Sequence, residues 1–436
     1  MKMKKGYWLY CLLIVLPIYK DSPLGVVLDS FGYSLVPCIC WIVCLWEIFS
    51  KKRVVINNIL VRRMAVLGIW LLAVSFVGML IWVIGGNEPY ILGEFLPIKI
   101  GKVLLIYGAF PIYISLIYNR VVQYSLDEIF KPIYLVVYIL TGICCIELMT
   151  APYAFEGLHF KGSFPYSGIR LLTQEPSWTT LLIYNYFMLA LYYALLKKKK
   201  SILVSIICCE ILLVLTSSSK SLLVLVGVSI VLIIFSQKRK MNKTKFTMLM
   251  SIIVITMAFF IIFIYPYLER AMVNDILKFT STATRSYTLL VGYLIGIICP
   301  FGVGGVMYLY IFPELLERYM PTFQTIFPSL NLWELEKYLS RGTDDALAPK
   351  SGLGLYTMFW GIFGTIYFLK PIWKLYKQSR KINDEYMLVL TIALAGNLIM
   401  VALFTEVTYE FLMLLTVMFC LVKRMLCLEG EKFERV

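Results

Sequence analysis

Long apolar runs alternate with short polar interruptions along nearly the whole chain, from Tyr7 to Val422. A helix that crosses a bilayer needs roughly 20 predominantly apolar residues, fewer where the bilayer thins or neighbouring helices bury it. On that rule the pattern predicts about twelve transmembrane spans. Six run approximately Tyr7–Tyr19, Phe31–Phe49, Met64–Ile84, Gly101–Tyr118, Pro132–Met149 and Ser177–Leu196. The others run Ser201–Thr216, Ser221–Phe235, Phe246–Tyr265, Gly352–Leu369, Tyr386–Phe404 and Phe411–Val422. The expected fold class is an all-α polytopic integral membrane protein, with residues 1–436 forming one transmembrane helical domain.

Lys and Arg gather in cytoplasmic loops, so their distribution orients the spans. Alternate segments, namely the chain up to Gly6, Ser50–Arg63, Asn119–Lys131, Lys197–Lys200, Ser236–Lys245, Lys370–Glu385 and Lys423 onward, hold 28 of the 41 Lys and Arg. Both termini are therefore expected on the cytoplasmic side. Reading Ser201–Phe235 as one helix would put one of its two flanking basic runs outside, so two short helices meeting at Thr216–Lys220 fit better.

With 60% of residues hydrophobic and only 15% charged, the bilayer is the solvent for most of the chain. The net charge of +15 lies in short runs between apolar stretches, not on one amphipathic surface, so nucleic acid is not an expected partner. The 11 cysteines sit inside or at the edges of apolar segments and read as small hydrophobes, without a disulfide or zinc pattern. Met1–Lys5 followed by an apolar run resembles a signal peptide. Lys20, Asp21, Ser22 and Pro23 follow with no small-residue cleavage site, so the segment reads as an uncleaved first helix.

Two segments on the outer side, 150–176 and 266–351, are longer than connectors need to be, and such loops usually carry function. In the first, Arg170 and Glu175 stand just before a span, where charge is costly unless paired or used. They are either an interfacial ion pair or a phosphate clamp (Arg170) with a general base (Glu175). Lys220 lies among hydroxyls in Thr216–Ser221 and is either a polar hairpin tip or an anion contact at a helix N-terminus. In the second segment, Arg285 opens an amphipathic stretch that ends at Pro300–Gly305 and is expected to lie on or dip into the outer interface. Arg341 and Lys350 are candidate anion contacts near the re-entry into the membrane. Glu314, Glu317, Arg318, Glu334 and Glu336 read as a solvated face. His159, the one histidine, reads as a loop surface residue, and a histidine-based metal site is excluded. Cations without an acidic metal-binding cluster suit a lipid diphosphate, which two or three such contacts could hold without metal or other cofactor.

Gly168-Ile-Arg170-Leu-Leu-Thr-Gln-Glu175-Pro-Ser177, Leu215-Thr-Ser-Ser-Ser-Lys220-Ser221, Arg285 with Pro300-Phe-Gly-Val-Gly304, and Gly361-Ile-Phe-Gly364 follow one another in an informative order. In that order and spacing they resemble the Wzy family of O-antigen and capsular polysaccharide polymerases, within the O-antigen ligase and polymerase superfamily. The resemblance implies a GT-C-like membrane glycosyltransferase of the bacterial inner membrane, with its active site facing the periplasm or cell exterior. It implies metal-independent, inverting transfer of a growing glycan from undecaprenyl diphosphate onto the newest lipid-linked repeat unit. A chain-length regulator and a flippase are the implied protein partners. Arg170 and Arg285 would be the arginines of the two loops, and Lys220 would occupy a position often held by Arg. The Arg that precedes Gly by eleven positions is matched by Arg285 and Gly296, while position 181, eleven after Arg170, is Leu. Ligases of the superfamily carry His where this chain has Lys350, which disfavours a ligase. A flippase or transporter would show charges deep in several spans and an inverted repeat. Here Glu210 is the one acid deep in a span, and no repeat is visible.

Overall fold

The computed structural model describes residues 6–28, 31–51, 58–150, 155–160, 169–216, 220–236, 281–328, 330–342, 348–382, 384 and 386–428. In chain order the helices are α1 (Tyr7–Val15), α2 (Gly25–Leu28), α3 (Leu35–Lys51), α4 (Ile59–Ile84), α5 (Leu96–Val121), α6 (Leu126–Thr150), α7 (Thr179–Lys197) and α8 (Lys200–Thr216). They continue as α9 (Lys220–Ser236), α10 (Ser281–Ile298), α11 (Gly304–Ile326), α12 (Trp333–Ser340), α13 (Gly352–Ser379), α14 (Met387–Leu403) and α15 (Tyr409–Leu428). A two-stranded antiparallel hairpin, β1 (Tyr90–Ile91) and β2 (Glu94–Phe95), joins α4 to α5. Every expected span overlaps one of these helices except Phe246–Tyr265, which lies outside the described residues.

Five helices, α4, α5, α6, α7 and α13, are long and apolar enough to cross a membrane, and shorter apolar helices accompany them. Their surroundings differ, and composition explains how. Helix α7 is apolar on every face, and its side chains from Thr179 to Ala194 are buried, as expected of a helix enclosed by others. It is the axis of the bundle, with α6, α8, α14 and α15 around it. Within this apolar packing Asn185 and Asn397 exchange amide hydrogen bonds of 3.0 and 2.6 Å, so neither polar group is left without a partner where α7 meets α14. Helix α4, by contrast, leaves Ile69, Phe76, Val77 and Ile81 exposed, an apolar surface suited to hydrocarbon.

Basic residues collect at one end, called here the lower end. Arg120 pairs with Glu47 at 3.1 Å, Lys197 pairs with Asp127, and Arg424 donates to the carbonyls of Val121, Val122 and Tyr124. Residues 150 and 352 lie at the opposite, upper end, as the directions of α6 and α13 require.

The stretch expected on or dipping into the interface is a helical hairpin, α10 and α11, whose tip reaches into the bundle. The tip, Cys299–Gly304, packs against Ser75, nine residues or about 14 Å below the upper end of α4. It also meets Met358–Gly361, roughly 9 to 14 Å below the start of α13. Backbone at such depth has to find partners within the protein. The Trp70 indole donates to Phe301 O at 3.0 Å, Gly305 N–H to Ser75 Oγ at 2.7 Å and Val303 N–H to Met358 O at 3.0 Å. Helix α13 breaks at Gly361, in a positive-φ conformation (φ 68°), where a Cβ would stand 2.0 Å from the Pro300 carbonyl oxygen. Gly302 (φ 84°) is the reciprocal contact, 2.2 Å from Phe359 O by the same construction. Glycine at both positions is thus a condition of the docking.

Candidate functional site

Two groups of polar residues occupy the upper end. The first is a latch on the 150–176 segment. Glu147, in the last turn of α6, accepts the backbone N–H groups of Arg170 at 2.8 Å and Leu171 at 2.7 Å, one on each carboxylate oxygen. Arg170 is itself buried, with its charge acting on Glu147. Thr173 caps the turn by donating its hydroxyl to Arg170 O at 2.7 Å, and Lys20 N–H donates to Leu172 O at 2.9 Å, forming a bridge between the chain after α1 and this segment. Lys20 forms a buried ion pair with Glu410 at the start of α15. The adjacent Asp21 meets His159 Nδ1 at 2.7 Å.

His159 is therefore not the surface residue expected of a lone loop histidine. Only 4% of it is exposed, because residues 155–160 pack onto the chain after α1, where Tyr19 donates to Leu158 O and Asp21 meets His159. That run was visible as Lys20-Asp21-Ser22 between apolar stretches, but nothing in sequence named its partners.

The other predicted residues divide between two places. Glu175 is half-buried, accepts from Ser177 Oγ at 3.2 Å and lies within electrostatic reach of Tyr338 on α12. The Tyr338 hydroxyl donates to Glu334 at 2.8 Å, and the Arg341 guanidinium stands 5.5 Å from its ring centre. Burial, with the Glu334 carboxylate beside it, pushes the Tyr338 hydroxyl up to about 12. The charges of Glu175, from the first long segment, and of Arg341, from the second, thus both act on Tyr338.

Arg285 and Lys350 mark the second place. Helix α10 packs on α13 through Gly292, where a Cβ would stand 2.6 Å from Pro349, and Gly296, where it would stand 2.3 Å from Thr357 O. Arg285 lies two turns before Gly292 on the same face, and Lys350 follows Pro349, so both half-buried cations belong to the top of this helix pair. The glycine eleven residues after Arg285 is what permits the close approach of α10 to α13. Lys220 opens α9, but its side chain lies outside the described residues.

The second group is a packed cluster of aromatic rings with buried hydroxyls at its edge, which no sequence motif announced. Tyr107 on α5 meets Tyr356, Phe359 and Trp360 of α13 with ring centres 6.1, 5.8 and 6.4 Å apart. Tyr308 of α11 stands 5.1 Å from Phe359, and Lys99 lies 6.0 Å from the Tyr308 ring. Phe110 carries the aromatic wall from Tyr107 to Tyr409 of α15. Among the described residues the buried hydroxyls of Tyr356, Tyr409, Thr405 and Thr408 have no hydrogen-bond partner, nor does one oxygen of Glu410. Glu406, exposed in the α14–α15 connector, lies within electrostatic reach of the Tyr107 and Tyr356 hydroxyls. The available signal was Thr405-Glu-Val-Thr-Tyr-Glu410, two acids and three hydroxyls crowded into a connector between apolar runs. Among the described residues no three His, Cys, Asp or Glu side chains cluster as a metal site.

The chain is similar to a Klebsiella pneumoniae protein described as an uncharacterized 49.5 kDa protein in the cps, or capsule, region, at 30% identity over 154 residues. The match covers 35% of each chain, so only about a third of that relative is spanned. No family model matches, and no solved structure does either.

Proposed function

We propose that the protein polymerises undecaprenyl diphosphate-linked oligosaccharide repeat units into a capsular or related surface polysaccharide at the outer face of the bacterial inner membrane. The observation that carries this reading is the convergence at one end of the bundle. Cations capable of holding a diphosphate (Arg285, Lys350, Arg341 and Lys99) lie toward that end beside aromatic rings such as Tyr308 and Tyr338, while Arg120, Lys197 and Arg424 lie at the other. The similarity to a protein of a capsule region points to the same pathway class. A basic lower end fits a cytoplasmic side, with about twelve spans and both termini inside.

In this reading Arg285 and Lys350, with Lys220 and Arg341, grip the donor diphosphate, and Arg170 with Glu175 completes the site from the first loop. The attacking sugar hydroxyl displaces diphosphate from the anomeric carbon with inversion. Cationic hydrogen bonds stabilise the departing group, the role that preorganised charge plays best in a water-poor site. Lys350, where a ligase of the superfamily would carry His, favours polymerase over ligase.

The test is to incubate the purified protein in nanodiscs, with chelator, together with lipid-linked repeat unit extracted from cells that lack this chain. A ladder spaced by one repeat, with undecaprenyl diphosphate released, is the expected product. A single adduct formed only on addition of lipid A core would instead identify a ligase. Transbilayer movement of the lipid without new glycosidic bonds would identify a flippase.

A further inference from the structure

The lower end of the bundle carries a feature that the proposed reaction does not use. Pro371, inside α13, has no N–H to give to the carbonyl one turn back, so Tyr367 O is left without its helical donor. Arg63, near the start of α4, supplies the missing bond. Its Nη1 donates to Tyr367 O at 3.2 Å, and its guanidinium carbon stands 4.7 Å from the Tyr367 ring centre. That bond uses one of the five N–H donors of the guanidinium. Arg63 is only half-buried, so its charge stays at the surface of the helix pair, in a position fixed by the carbonyl and the ring.

Around this contact each helix presents a stripe. On α13 the exposed positions Phe363, Ile366, Tyr367, Lys370, Trp373 and Lys377 recur every three or four residues, apolar above and basic below. On α4 the exposed Arg62 is followed at the same spacing by the exposed Val66 and Ile69. Trp373 stacks on Tyr376 with ring centres 5.4 Å apart, and Lys377 Nζ stands 5.3 Å from the Trp373 ring. Exposed tryptophan beside lysine marks the edge of the hydrocarbon. Neither α4 nor α13 contains an Asp or Glu, so neither helix balances these cations with an acid of its own.

We infer that this face of α4 and α13 is a binding site for an anionic phospholipid of the leaflet at the lower end. The lipid phosphate sits on Arg63, with Arg62 and Lys370 beside it, and the acyl chains lie along Val66, Ile69, Phe363 and Ile366. The inference is independent of the polymerase reading, since it needs only a membrane around the two helices. Orienting the chain would require positive charge at this end and nothing more. Fixing one guanidinium between two helices, below an apolar surface and above a Trp–Lys pair, adds a defined place for one negative headgroup. Each basic residue near an anionic headgroup raises affinity roughly fivefold.

The experiment is native mass spectrometry of the whole chain released from detergent, with dioleoyl phosphatidylglycerol and dioleoyl phosphatidylcholine added in equal amounts. Wild type is expected to retain phosphatidylglycerol over phosphatidylcholine by about fivefold or more. Arg63→Gln keeps an N–H for the Tyr367 carbonyl but removes the charge, and should cut that preference by about fivefold, with Arg63→Lys recovering part of it. Lys199→Gln, which removes an exposed cation from the α7–α8 connector, should leave the preference within about twofold of wild type. A wild type without preference would overturn the inference, as would Arg63→Gln within about twofold of wild type. Equal losses in Arg63→Gln and Lys199→Gln would also overturn it, because they would show a diffuse attraction and no site. Should Arg63→Gln fail to run as a single species on size exclusion, the double variant Lys370→Gln, Lys377→Gln, altered only at exposed positions, decides by the same criterion.

Discussion

Glu147 is expected to hold the first outer segment in place, and removing its carboxylate isolates that role. In Glu147→Ala the backbone N–H groups of Arg170 and Leu171 lose their acceptors at a site where both residues are buried. Each buried donor left unpaired costs roughly 1 to 3 kcal/mol, so the two together disfavour the closed segment by about 2 to 6 kcal/mol. Even the lower figure multiplies the opened population roughly 30-fold. Glu147→Gln should fall between the two, because an amide oxygen still accepts one N–H while its NH₂ group opposes the other. Hydrogen exchange read by mass spectrometry reports the opening directly. Protection of peptides covering Arg170 and Leu171 should drop by about 30-fold or more in Glu147→Ala, while peptides covering the hairpin tip at Val303 keep theirs. Protection within threefold of wild type at Arg170 and Leu171 would refute the latch.

Gly361→Ala forces a Cβ onto the Pro300 carbonyl and a positive φ onto alanine, so the hairpin tip should undock. The expected sign is a protein that inserts but melts lower in detergent and exchanges faster at Val303, and an unshifted melting curve would count against the docking. Lys20→Met and Glu410→Gln should each destabilise by about 3 to 5 kcal/mol by leaving a buried charge alone. The double variant should lose less than the sum of the singles, and simple additivity in a thermal double-mutant cycle would show that the pair does not couple. Arg285→Ala should abolish polymer formation while leaving membrane insertion and the melting curve intact, and wild-type levels of long polymer would remove Arg285 from the site.

The hydrophobic pattern located helices because it counts something local: a run of apolar residues long enough for a bilayer folds as a helix whichever neighbours it has. The pattern was less informative around Arg285–Gly305. Glycine and proline there interrupt an apolar run, and interruption reads equally as a loop or as the tip of a hairpin. What distinguishes the two is the reciprocal fit of Gly302 and Gly361, some sixty residues apart, which no local count contains. Motif order drew attention to Arg285, Gly296 and Gly361, and the structure gives the two glycines a packing role.

Polar residues without a motif were missed for the same reason. Lys20 and Glu410 are separated by 390 positions, and each alone looks like a charge at a helix end. His159 looked like a surface histidine until the chain after α1 brought Asp21 against it. The aromatic cluster draws on α5, α11, α13 and α15, and its tyrosines resemble any others in a chain with 30 of them.

Composition and periodicity by themselves thus determined that this chain folds as apolar helices, because transfer into hydrocarbon is a property of each segment alone. Only the tertiary structure decided which charges are buried in pairs, how deep the hairpin reaches and which hydroxyls are buried. Those depend on distances between segments remote in sequence, and hydrogen bonds and ion pairs form only where packing brings their atoms within about 3 Å.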